Sequence, residues 1–256
     1  MKTNHKLLEL AYTILSLKCL YPDDFVNSVF QRFVSAVLET KSDTFQITPC
    51  DLCKLRKRCA VAEKMLEIDW ANRVRKSVSP KKSLLSFPYY DNYLSLASFE
   101  IGLIKNFKKA SKIIFVGSGP LPLSGILLAK SGYEVWLMDR CPFACFLAEK
   151  LLTKLGMIKR CKVLQQDAFR FSNYSDFPII ILGALVGQDE KEKNKLLQSI
   201  LSNTLKGSLI LARSTWGARR VFYPVVNTEW CKPCDFIEEF RPKDPKLVNS
   251  CVACIV

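Results

Sequence analysis

Glu63 and Glu67 stand four residues apart in Ala60-Val-Ala-Glu-Lys-Met-Leu-Glu-Ile-Asp-Trp70, so a helix there puts both carboxylates on one face. Packed against apolar neighbours, such a pair raises at least one carboxylate pKa. That suits a base which takes a proton from an ammonium group. A solvated acidic stripe is the plainer account of this helix alone, and both readings stand here. His5 is the one histidine and sits in the N-terminal stretch, so histidine acid–base chemistry and His-based triads are excluded. The base must be a carboxylate, tyrosine, cysteine or lysine.

A second signal is a glycine turn. Lys112-Ile-Ile-Phe-Val runs into Gly117-Ser118-Gly119-Pro120, and Asp139 ends the next apolar run 20 residues after Gly119. Strand, glycine turn, helix, strand and acid in that order suit a nucleoside cofactor. Gly117 and Gly119 let the backbone approach the ligand, and Asp139 can bind ribose hydroxyls. The third glycine of the dinucleotide pattern is missing, with Leu121 and Pro122 in that region, and no Gly-Lys-Ser/Thr follows. Both absences lean away from NAD and ATP, towards a cofactor without phosphates such as S-adenosylmethionine (SAM). An ordinary tight turn is the alternative.

Other candidates sit around these two. Phe87-Pro-Tyr-Tyr-Asp-Asn-Tyr93 offers Tyr89, Tyr90, Tyr93 and Asn92, which either line a substrate pocket or form a packing seam. Arg213 and Arg219 follow a later apolar run and could grip a carboxylate in two-pronged fashion. Eleven cysteines include Cys50-x-x-Cys53 with Cys59, Cys231-x-x-Cys234 and Cys251-x-x-Cys254. Cys50, Cys53 and Cys59, expected in a loop leading into a helix, are candidate ligands for zinc or an iron–sulfur cluster. Free thiols are the default. In a strand, Cys251 and Cys254 face opposite sides and chelate poorly.

The elements that must carry these residues divide near residue 105. Apolar positions three and four apart make 1–105 a helical cap: Leu7, Leu8, Ala11, Ile14, then Phe25, Val29, Phe33, Val37, then 60–74 after a polar break at 39–48. From 106 to 256, strands expected at 112–116, 133–138, 161–165, 178–183 and 207–212 alternate with helices near 121–131, 142–156 and 189–204. Two further runs, 236–240 and 248–256, close the chain. Five parallel strands with a terminal hairpin predict an α/β, Rossmann-like sheet of the SAM-dependent methyltransferase type behind an N-terminal helical domain.

Bulk properties narrow the classes. Hydrophobic content of 49% with 24% charge is that of a soluble globular chain, with no apolar run of membrane-spanning length and no good signal peptide. A cytoplasmic location is expected. Thirty-eight Lys and Arg against 24 Asp and Glu give +14, yet the basic clusters at 54–58 and 73–82 lack interleaved aromatics. Solvated lysines account for that charge better than nucleic acid as a partner. Small-molecule substrates are expected, and a homodimer is compatible with the sequence.

Several motifs together resemble the nicotianamine synthase family. They are Phe87-Pro-Tyr-Tyr-x-Asn-Tyr93, Val116-Gly-Ser-Gly-Pro-Leu-Pro-Leu-Ser124, Ala184-Leu-Val-Gly187 with Lys191-x-Lys193, Arg213-Ser-x-x-Gly-Ala-Arg219 and Tyr223-Pro-Val-Val226, with Asn249-Ser250 near the end. The resemblance implies transfer of the 3-amino-3-carboxypropyl group of SAM to an amine, release of methylthioadenosine, and a nicotianamine-type metal chelator as product. It implies Glu63 as the catalytic glutamate, Tyr89 as the functional tyrosine, and Tyr223 beside the substrate. Glu67 is the fallback base. As in SAM-dependent enzymes, Asp167 and Ala168 are expected near adenine, and Ala184 where substrate approaches the sulfonium. The acid-rich turn of the family is reduced here to Asp139-Arg-Cys-Pro142. Alternatives are a single-transfer opine-metallophore synthase using a free amino acid, a SAM-dependent RNA-modifying enzyme, and a non-enzymatic thiolate metal-binding module.

Overall fold

Strands β1 (Lys112–Val116) and β4 (Ile179–Leu182) are almost wholly apolar and buried on both faces, which makes them central strands of a parallel sheet. The computed structural model describes residues 2–40, 47–187, 189–231 and 234–256. β1 pairs in parallel with β4 and with β2 (Glu134–Asp139), β2 with β3 (Cys161–Gln165), and β4 with β5 (Leu209–Ser214). β7 (Ser250–Ile255) inserts antiparallel between β5 and β6 (Phe236–Phe240), giving the order β3-β2-β1-β4-β5-β7-β6. The chain reverses its direction of winding between β1 and β4. Ligands bind such sheets at that crevice. β5 starts two residues later than expected because Gly207, at φ +79°, makes a turn before it.

Helices α6 (Leu123–Lys130), α7 (Pro142–Leu155) and α8 (Glu190–Ser202) connect the parallel strands. Among the described residues five helices precede them: α1 (Lys2–Ser16), α2 (Asp24–Glu39), α3 (Pro49–Lys76), α4 (Pro80–Leu85) and α5 (Tyr90–Phe107). The polar break expected at 39–48 lies partly outside the described residues. No helix among the described residues is long and apolar enough to cross a membrane.

The longest departure from expectation is α3. It is one helix of 28 residues, opened by Thr48 accepting a hydrogen bond from the Asp51 N–H and by Pro49 in the first turn. Arg73, Arg75 and Lys76 close it, where positive charge suits the helix dipole. The expected cysteine loop is therefore helix. Cys50 and Cys53 are exposed on it while Cys59 is buried in the cap cluster, and the three do not converge on a metal site. Cys251 and Cys254 also separate, one in each apolar cluster flanking the sheet.

The cap is seated on the sheet by shared apolar packing. Leu7, Ile14, Val29, Phe33 and Leu55 pack with Ala218, Val221, Phe222 and Val248 from the sheet's carboxyl edge. Leu66, Ala71 and Val74 of α3 belong to the same cluster as Phe115 and Leu137. Part of the basic stretch at 54–58 is structural. Arg58 donates to the carbonyls of Ile14 and Leu17, and Arg56 donates to that of Arg220 at 2.6 Å.

Candidate active site

A cavity of about 830 Å³ lies between the carboxyl ends of the parallel strands and one face of α3. At its floor Gly117 (φ +81°) and Gly119 (φ +68°) follow β1, and the Gly119 N–H donates to Asp139 Oδ2 at 2.9 Å. The Cys141 N–H holds the other oxygen, Oδ1, at 2.8 Å. Two backbone donors thus fix the carboxylate at the tip of β2. Past β3, Asp167 Oδ1 accepts from the Phe169 N–H at 2.9 Å, and the Ala168 carbonyl accepts from Tyr174. Gly117, Ser118, Gly119, Pro120, Asp139, Asp167, Ala168 and Ala184 all line the cavity. These groups fit a nucleoside cofactor. Positive-φ glycines leave the floor open, and acids stand beyond two adjacent strands.

The roof is acidic. The four-residue spacing on α3 turns Glu63 and Glu67 into the cavity together, as a helix requires. Tyr223 donates its hydroxyl to Glu63 Oε2 at 3.1 Å, and Tyr93 donates to Glu67 Oε1 at 3.2 Å. Surface area makes both acids half-buried, because the cavity itself is open. Protein still surrounds them closely enough for desolvation to be the largest influence on each. Burial pushes Glu63 up, while hydrogen bonds from Tyr223 and Tyr93 and the charge of Arg213 pull it back. Burial and the adjacent Glu63 charge push Glu67 well up. Both carboxyls are thus shifted upward, Glu67 the more strongly, because it feels the Glu63 charge while Glu63 is held down by Tyr223 and Arg213. Tyr89 lines the same wall, its phenol pushed up to about 12 by burial and then by Glu63.

The arginine readings need correction. Arg213 faces the cavity, but its guanidinium is bound by Glu100 at 2.7 and 3.0 Å and by Ser124 Oγ at 2.8 Å. That buried pair ties α5 to β5 rather than presenting a free fork. Arg219 does not line the cavity. It donates to the carbonyls of Leu247 and Pro245 and lies 4.4 Å over the ring of Trp216. Asn92 borders the cavity while its amide donates to the Lys246 carbonyl. Tyr90 packs against the apolar cluster outside the cavity lining. Seam and pocket thus divide the tyrosine motif, with Tyr89 and Tyr93 on the pocket side.

Two residues carry no role in the sequence reading: Glu100, fully buried behind the cavity as the partner of Arg213, and Asn249, in the cavity wall. Tyr93 and Glu100 are seven residues apart on α5, two helical turns on one face, a spacing legible once 90–105 is read as helix. Asn249 precedes β7, and its Nδ2 is buried with no hydrogen-bond partner among the described residues. The same holds for Ser118 Oγ. Asn249-Ser250 stands among the family-like motifs, but its place in the cavity depends on the hairpin folding back beside β5.

Comparison with known proteins follows the same lines. The model of the family described as "Nicotianamine synthase protein" matches residues 3–255. Nicotianamine synthase 1 of Arabidopsis thaliana is 30% identical over 262 residues, covering 96% of this chain and 82% of the other. The nicotianamine synthase of Solanum lycopersicum is 28% identical, covering 96% and 81%. Among solved structures, MtNAS in complex with MTA and tNA superposes with a TM-score of 0.84 at 22% identity, over 98% of this chain and 97% of that one. The methyltransferase MmcR superposes at 0.52 and 12% identity, over 92% and 74%, and shares the sheet architecture.

Proposed function

Because the chain belongs to the nicotianamine synthase family, we propose that it moves the 3-amino-3-carboxypropyl group of SAM onto an amine acceptor, releases methylthioadenosine, and builds a nicotianamine-type chelator. SAM supplies the electrophilic methylene and its sulfonium leaving group. The glycine turn and Asp139 bind the nucleoside end, with Asp167 and Ala168 beyond it. Glu63 takes a proton from the acceptor ammonium, whose pKa is about 8. Burial brings the carboxylate's proton affinity closer to that of the amine, which eases the transfer. The Tyr223 hydroxyl favours the ionised form of Glu63 and fixes its orientation. Glu67, raised more strongly, holds a proton more readily than Glu63, which lowers the negative charge on the roof.

Asn249 takes the part first given to Arg219. Its unpartnered amide in the cavity wall supports a bond to a substrate carboxylate on the β5–β7 side. The eleven thiols suit a reducing compartment, and we place the enzyme in the cytoplasm.

The observation that carries this reading is the Glu63 carboxylate held by Tyr223 in the same cavity that the glycine turn lines. Purified protein incubated with SAM, with and without added amino acids, is the test. Methylthioadenosine should appear, and Glu63→Gln should lower its release by about 100-fold or more. The masses of the products count the transfers. S-adenosylhomocysteine as the product would instead identify a methyltransferase.

A further inference from the structure

Lys193 is the one lysine among the described residues that is completely buried, and it lies behind the cavity wall rather than in it. Its Nζ donates to the Ala184 carbonyl at 2.8 Å and reaches the Gly183 carbonyl at 3.4 Å. Both carbonyls belong to the turn that follows β4. The same turn is pressed against α8 from below: a Cβ on Gly187, at φ +88°, would sit 2.8 Å from the Lys193 backbone. At its other end the turn meets the cofactor cradle. Gly183 donates its N–H to the Val116 carbonyl at 2.9 Å, and Val186 Cγ2 lies 2.1 Å from where a Cβ on Gly117 would be. Contacts therefore run without a gap from Lys193 through 183–186 to Gly117.

We propose that Lys193 is a positioning residue for SAM binding, whose buried ammonium pins the 183–187 turn so that Val186 and Ala184 shape the cradle beside Gly117. This rests on the SAM-binding reading above. A buried cation bonded to two neutral carbonyls is poorly stabilised, because neither returns a charge. The charged and titratable groups facing it are Arg213 on β5, which repels it, and Cys251 on β7, which favours it. Arg213 is itself tied to Glu100 of α5. Burial first, then Arg213, brings the Lys193 pKa down to about 7. The pin is thus fully charged in mild acid and weakens as pH rises through neutrality. Bonds donated by an ammonium are the stronger ones.

SAM affinity measured by equilibrium dialysis between pH 6 and 8.5 tests this in wild type, Lys193→Met and Lys193→Gln. Wild-type affinity should fall by about tenfold with a midpoint near 7. Both variants should bind at the weak, high-pH level with no inflection. Hydrogen exchange of the 183–187 amides in ligand-free protein, corrected for intrinsic rates, should show about tenfold less protection in the variants at pH 6. Wild-type affinity or a retained inflection in the variants, or unchanged protection of the turn, overturns the assignment. If wild type binds no SAM at any pH, the functional reading falls. The exchange result then decides the role of Lys193 by itself, and it does so with Lys193→Gln if the methionine variant does not fold.

Discussion

The Tyr223 hydroxyl donates to Glu63 Oε2 at 3.1 Å across 160 positions of sequence, joining the helical cap to the segment after β5. The tyrosine is aimed by its neighbour. Phe222 is buried in the cap cluster with its ring 5.3 Å from that of Phe33, edge to face, and the next residue turns into the cavity. Tyr223→Phe removes a bond that holds Glu63 down. A base must be ionised to act, so raising its pKa moves the acid limb of the pH–rate profile to higher pH. We expect kcat at pH 7 to fall roughly 10-fold, in line with the loss of one hydrogen bond to a charged group. An unmoved acid limb would separate Tyr223 from Glu63.

Glu67→Gln is expected to stabilise the ligand-free protein above neutral pH. Burial and Glu63 raise the folded-state pKa of Glu67, so the folded chain holds a proton that the unfolded chain has released. Stability from this group falls as pH rises from the ordinary carboxylate value towards the folded one. Glutamine abolishes that loss. Thermal melts should show a higher Tm for the variant at pH 8 and a difference that shrinks towards pH 5. A protein of this size gains about 2–4 °C per kcal/mol. Equal melting at both pH values would mean that Glu67 ionises freely.

Gly119 is constrained twice. Its φ of +68° disfavours any side chain, and an added Cβ would stand 2.7 Å from Glu67 Oε2. Gly119→Ala should therefore weaken SAM binding by about 10-fold or more while leaving the fold intact, since strain there costs on the order of 1–3 kcal/mol. Titration calorimetry against circular dichroism separates the two effects. A fully competent alanine variant would show that α3 yields freely.

The Glu100–Arg213 pair is buried on both sides, with Ser124 and the Phe115 ring completing the guanidinium's surroundings. Removing the acid strands a cation in the core. Glu100→Ala should cost about 3–5 kcal/mol, read as a large drop in urea midpoint. Glu100→Ala combined with Arg213→Met should recover much of it. No recovery in the double variant would argue that the pair is not coupled.

Much of the sheet was legible beforehand because its signals are local. Alternating apolar runs, Gly117 and Gly119, and Asp139 at the end of the second run each report on a few consecutive residues. The cap was less so. The 50–59 stretch is polar and cysteine-rich, which reads as a loop, yet Leu55 and Cys59 bury against α1 and α2 and make it the first third of α3. Tertiary burial overrode a weak local pattern.

Sequence by itself determined the α/β class, the glycine cradle with its acid, and a helix bearing two glutamates on one face, because backbone periodicity and glycine's freedom act over short spans. Only the folded chain decided which polar groups are spent. Arg213 is consumed by Glu100, Arg219 by the carbonyls of the β6–β7 connection, and Asn92 by Lys246, while Tyr223 and Asn249 are brought to the cavity from far along the chain. A side chain's partners are set by packing between distant elements, and spacing along one element carries no information about them.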